Sequence, residues 1–282
     1  MAWERFGYIC RKVSSTLQEG ETVSECITRV EKEPGCNLYG DAIRAGSLPR
    51  KILNDIGHLY SNDEAKDVIK IYSELDLSER LEEPMQFKRV TVYLALVVVV
   101  FFFVSEIYQL KVAPTFLETF ETFDVSIPHH LMFFRDYWNF FMVSVFSMLG
   151  LALCVGYILR GLFQFKRGCE KGFVYRYLTF KGIRYAYENI IHTLTFPISN
   201  KSSEKGGSTS AINEHLLSIK CSGMNVGTEM KEIIRTDMNT LVDLCEKQMR
   251  YISVLIAVVV VAVIFFFLFS AYSPLFMLGE TI

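Results

Sequence analysis

The chain has 282 residues, 51% hydrophobic and 21% charged, with 29 Lys or Arg against 31 Asp or Glu and a formal net charge of −2. Its apolar residues are gathered into long runs, which excludes a single soluble core fed evenly by the whole chain. With no basic excess and no reading motif, nucleic acid is excluded as an expected partner. Residues 1–89 are charged throughout and begin MAWERFGYICRKVSS, without the uninterrupted apolar stretch of a cleavable leader. Here Val13, Leu17, Val23, Cys26, Ile27 and Val30 recur at three- and four-residue spacing around Gly20, which predicts two short helices and a turn. Pro34, Gly35 and Gly40 mark the next break. Beyond it, Ile52, Ile56 and Leu59 form one apolar stripe, and Ala65, Val68, Ile69, Tyr72 and Leu75 another. A helical bundle is expected over 1–89.

Three segments follow that are apolar and long enough, at about 20 residues, to cross a bilayer. They are 90–110, with the core LALVVVVFFFV, then 138–159, and then 251–272, which reads YISVLIAVVVVAVIFFFLFSAY. Their β-branched and aromatic residues would suit strands in water, but in lipid only a helix satisfies its own backbone over such a length without a closed barrel. Between the second and third spans, 160–250 repeats the helical plan: YRYLTFKGIRYAYENIIHTL, a polar break NKSSEKGGSTS, then a long amphipathic run. The fold class expected is an all-α integral membrane protein with two cytoplasmic helical-bundle domains and three transmembrane helices.

Basic residues orient it. Thirteen Lys or Arg lie in 1–89, two in 111–136 and 14 in 160–250, so the positive-inside rule puts both large segments in the cytoplasm. The segment 111–137 and the tail 273–282 then face outward. Six of the seven cysteines, all but Cys154, fall on the cytoplasmic segments without CxxC spacing, which predicts reduced thiols.

The outer segment carries its own pattern. Pro114 suits the first turn of a new helix better than the middle of an old one. Phe116, Phe120 and Phe123 then share a face with Leu117, which predicts a short external amphipathic helix ending near Ile127-Pro128. Such a helix either connects two spans or offers a docking face to neighbouring helices or a passing apolar substrate. The first and third spans also resemble one another: VVVV at 97–100 and 258–261, FFF at 101–103 and 265–267, and Pro-x-Phe at Pro114 and Pro274. Two parallel units joined by the second span are the expected reading.

Val112, Pro114, Phe116, Phe120, Ile127 and Pro128 follow an apolar span in the order V-x-P-x-F-x-x-x-F, then I-P, and the chain closes AYSPLFML. In these residues, and in the bundle opening RYLTFKGIRYAYENI with Gly182 at its middle, the sequence resembles the inner-membrane platform proteins of type II secretion systems and type IV pili. It departs in lacking the Gly-Glu-x-x-Gly signature of that family's cytoplasmic repeats and in its short N-terminal domain, as a divergent pilus-type member would. The resemblance implies a non-enzymatic, homo-oligomeric scaffold in the bacterial inner membrane, N-terminus cytoplasmic and C-terminus external. Its implied partners are a cytoplasmic assembly ATPase, pilin or pseudopilin subunits and other inner-membrane assembly proteins. A membrane subunit of an ATPase-driven permease and a membrane sensor or adaptor are the alternatives.

The motifs of other chemistries are missing from the sequence. There is no P-loop pattern, EKGGSTS at 204–210 reads as a flexible loop, and no HExxH occurs. His129-His130 reads as an interfacial pair, not a metal site, and no nucleophilic triad is specified by spacing. No catalytic residue, metal or cofactor is therefore expected. Two features remain as candidate partner contacts. Glu106 is the one acid within a span, where it either reaches the interface or faces the bundle as a partner for pilin. The stretch holding Lys166, Arg167, Lys171 and Arg176 is basic, suited to anionic membrane lipid or to contact with the ATPase.

Overall fold

The computed structural model describes residues 2–18, 20–59, 61–75, 87–122, 129–163, 165, 173–202 and 211–281. Among them there are helices and no strand. In chain order these are α1 (Ala2–Thr16), α2 (Val23–Glu31), a 3₁₀ segment (Pro34–Tyr39), α3 (Leu48–Gly57), α4 (Asn62–Glu74) and α5 (Phe87–Ile107). A π-helical turn (Tyr108–Val112) leads into α6 (Ala113–Thr122), followed by α7 (His129–Phe163), α8 (Phe173–Leu178), α9 (Lys181–Ser202), α10 (Ala211–Cys221) and α11 (Val226–Thr281). Three helices are long and apolar enough to cross a membrane, over Leu96–Thr122, Asp136–Phe163 and Val226–Phe269. The described residues thus form an all-helical protein with three candidate spans among them. It divides into two compact units, a polar one from residues 1–85 and 157–246 and an apolar one from 86–156 and 247–282.

The polar unit draws on both charged segments of the sequence. α1 buries Trp3, Phe6, Ile9, Cys10 and Val13, the three- and four-residue spacing that turns one face inward. Gly20, with φ of 90°, supplies the left-handed residue that the turn into α2 needs. There Thr22 and Glu25 form a capping box: the Thr22 hydroxyl accepts the Glu25 N–H at 3.3 Å, and the Glu25 carboxylate accepts the Thr22 N–H at 3.0 Å. The bonds from Thr22 hold the Glu25 carboxyl below its usual range, so the cap weakens as pH falls through that lowered value. Arg5, almost fully buried, donates to the Glu31 and Gly40 carbonyls and to Asn37 Oδ1 at 3.0–3.4 Å. It thereby satisfies carbonyl groups freed where α2 and the 3₁₀ segment end.

The later segment completes this core. The Tyr72 hydroxyl of α4 donates to the Leu194 carbonyl of α9, and the Phe6 ring meets Tyr72 edge-on at 5.5 Å. Phe165 places its ring between Trp3 and Tyr187, at 5.5 and 5.6 Å, while its carbonyl accepts the Leu48 N–H. Asn225 both caps α11, accepting the Gly227 N–H at 2.8 Å, and donates to Glu74 of α4 at 3.1 Å. Segments read from sequence as two successive bundles therefore contribute to one unit. Each alone would leave its large rings exposed to water.

Among the described residues six cysteines are free, of which Cys10, Cys26 and Cys36 are buried within this unit and Cys221 is exposed. Burial pushes the thiols of Cys10, Cys26 and Cys36 up, so they stay protonated and unreactive. Iodoacetamide at pH 8 should modify Cys221 well before these three, read by peptide mass; equal rates would contradict the burial.

The apolar unit has a seam that the sequence hides. Val98, Phe101 and Ser105 of α5 and Tyr108 of the π-helical turn are buried, as are Trp138, Met142, Val145, Leu149 and Ala152 of α7, and Ile256, Val260, Val263 and Phe267 of α11. Steps of three and four alternate in all three, the heptad spacing of helices packed at shallow angles. Phe101 lies at the centre, 6.4 Å from the Trp138 ring and 6.0 Å from Phe267. The resemblance between the first and third spans does not extend to this packing. With the VVVV strings aligned, the buried positions of α11 fall one residue later than those of α5, so equivalent residues face differently.

Candidate functional site

The candidate site lies where α5 gives way to the π-helical turn. Ser105 is fully buried, and the Tyr108 ring packs edge-on against Phe267 at 5.0 Å. Between them in sequence, Glu106 accepts a hydrogen bond from the Trp138 indole N–H at 3.1 Å. The bond joins the first and second spans across 32 residues of chain. Of the two expectations for Glu106, an interfacial reach or a bundle-facing contact with pilin, neither named this one: the partner is the chain's own second span. Around it the Ser105 and Tyr108 hydroxyls and the Gln109 amide nitrogen are buried without a hydrogen-bond partner. Such groups are costly in an apolar setting, which marks this level of the bundle as polar by design or by need.

The π-helical turn explains how the helix gets past Pro114. The sequence predicts a new helix beginning at Pro114, but the backbone from Ile107 to Ala113 stays right-handed helical, with φ near −60° at both ends. Ala113 N–H bonds to the Tyr108 carbonyl, five residues back. A proline in a regular α-helix lacks a donor and pushes its ring against the carbonyl four residues earlier. The wider π turn makes room, and in a span the continuing ladder keeps backbone groups satisfied where lipid cannot. The Thr115 hydroxyl adds a bond to the Lys111 carbonyl at 2.9 Å. The segment Ala113–Thr122 is thus a continuation of the first span's helix and not a separate one.

On this continuation the phenylalanines divide. Phe116 is half-buried, while Phe120 has no exposed surface at all. Phe120 is accordingly part of the interior of this unit, while of the other candidate contacts on α6 Pro114 is exposed and Phe116 half-buried; Phe116 also lines a shallow groove with Lys111, Val112, Thr115 and Thr119. Phe123, Lys166, Arg167 and Lys171 lie outside the described residues. Arg176 is exposed on α8, its guanidinium 5.8 Å from the centre of the Tyr177 ring. Among the described residues no group of three His, Cys, Asp or Glu side chains is placed to hold a metal.

Sequence reasoning missed Trp138, Ser105, Tyr108 and Gln109. The signal was SEIYQ, polar groups closing an apolar run, together with a tryptophan at the matching end of the next span. The arrangement ties two spans and offers no nucleophile and base in register. Trp138→Phe, which keeps an aromatic ring and removes the donor, should destabilise the apolar unit by about 1 kcal/mol, the scale of interhelical hydrogen bonds in membranes. A double-mutant cycle with Glu106→Leu, read by unfolding in detergent, isolates the bond. Strict additivity would show that the pair is uncoupled.

No family model, curated protein or solved structure matches the chain.

Proposed function

We propose that the chain is a non-enzymatic platform in the bacterial inner membrane that couples a cytoplasmic assembly ATPase to extraction and polymerisation of pilin or pseudopilin subunits. The observation that supports this reading is the pairing of two apolar spans, each carrying Pro-x-Phe, with the large charged helical segments that precede them. An energy-coupling scaffold needs both a soluble body for a motor to grip and membrane helices against which a small anchored subunit can move. The polar unit supplies a candidate for the first: its core joins segments from before the first span and after the second, so force on one segment reaches the other through packed side chains. Pro114 and Phe116, accessible on α6, are the side chains we assign to the second.

Crosslinking in native membranes followed by affinity purification tests the reading. A hexameric ATPase and pilin-like subunits should be recovered together with the chain. Recovery of neither, with the protein at normal abundance, would remove it. The orientation has its own test, in a cysteine-free background. Single cysteines at Ser126 and Thr281 should react with an impermeant thiol reagent added outside and one at Ser208 should not; labelling at Ser208 in intact cells would invert the orientation.

A further inference from the structure

We propose that the aromatic and basic segment from Phe173 to Tyr185 docks on an anionic lipid surface. In α8 the side chains divide by face. Tyr175 is buried against Tyr187 at 6.5 Å, and Thr179 just beyond is buried as well. Phe173 and Tyr177 point the other way, 74% and 65% exposed, with Arg176 exposed between them. Their rings lie 4.5 Å apart and the Arg176 guanidinium sits over Tyr177. The start of α9 continues the composition, with Lys181 exposed and Tyr185 67% exposed.

A helix within a polar unit ordinarily turns its aromatic rings inward and its charges outward, and here rings and cations share the outward face. Clustered exposed aromatics mark a binding surface. Rings whose polar ends can stay wet, interleaved with Lys and Arg, fit the headgroup level of a bilayer, where the rings enter the interface and the cations meet lipid phosphates. Chain length favours that occupant. The candidate span Asp136–Phe163 ends ten residues before Phe173, and ten residues reach at most about 36 Å. The bases Lys166, Arg167 and Lys171 lie within that connection, adding to the attraction for negative lipid. The inference does not rest on the platform reading and would hold for any three-span chain with this segment.

The full-length protein in nanodiscs tests it by amide hydrogen exchange over residues 173–186. Discs of phosphatidylcholine with phosphatidylglycerol should slow exchange at least about fivefold relative to phosphatidylcholine alone, the difference expected from one basic residue near a charged surface. Raised salt should erase most of the difference. Arg176→Glu with Lys181→Glu, and separately Phe173→Ser with Tyr177→Ser, should each abolish the slowing while exchange in α4 stays as in the unaltered chain, which reports an intact polar unit. Exchange that is the same in both lipids, or protection that arises only on adding a soluble protein, would overturn the proposal. If a variant also loses protection in α4, the single change Tyr177→Ser decides, by the same lipid comparison.

Discussion

Phe165→Ala is expected to lower the stability of the polar unit by about 3 to 5 kcal/mol, the range for removing a large buried aromatic ring. Its ring bridges Trp3 of α1 and Tyr187 of α9, so the truncation opens a void where the two charged segments meet. The backbone there adds a second, separable effect. Phe165 has φ of 47°, a left-handed conformation that a bulky side chain rarely adopts. Phe165→Gly removes the same ring but suits the backbone, and should recover about 1 kcal/mol relative to Phe165→Ala. Pulse proteolysis of the detergent-solubilised protein reads both. An alanine variant as stable as the original chain would mean that the bridge carries no weight in joining the segments.

Phe120→Glu is expected to abolish accumulation of folded protein in the membrane. The side chain is fully buried, and a carboxylate forced into an apolar interior either unfolds its surroundings or takes up a proton at large cost. Phe120→Leu, which stays apolar, should lose only about 1 to 3 kcal/mol. Glu121→Gln on the exposed side of the same helix should change little. The comparison separates an interior ring from a docking ring. If Phe120→Glu accumulates, resists protease as the unaltered chain does and fails only in assembly, then Phe120 acts on a partner and its burial is incidental.

These residues also show what a sequence makes legible. The helices of the polar unit could be read because water forces a contrast: Val23, Cys26, Ile27 and Val30 are apolar on one side of α2 and the remainder is polar. The spans were readable as runs for the opposite reason, since lipid permits apolar residues on every side. That same permission hid the seam. Val98 and Val99 are chemically alike, and only packing decides that the first is buried and the second exposed. Glu106 was visible as an anomaly, but its partner lies in another helix and no local rule connects them. Pro114 misled for a physical reason: rules for proline describe an α-helix, and a π-helical turn changes the geometry to which they apply. The joining of residues 1–85 with 157–246 depends on long-range contacts such as Tyr72 with Leu194, which leave no periodic trace.

The π-helical turn also bears on how this chain can vary in length. A bond reaching back five residues accommodates one residue more than an α-helical turn does. Anywhere else in a span, losing one residue would swing every later side chain by about 100° and turn buried faces toward lipid. Between Tyr108 and Val112 the surplus can be given up, because closing the turn to α-helical spacing removes the extra residue and leaves the faces on either side in place. Pro114 would then stand in a regular helix and clash with a carbonyl of the preceding turn, so a shortened chain is expected to replace that proline at the same time. The wide turn and the proline are in this sense a linked pair, and a change of length at one constrains the residue type at the other.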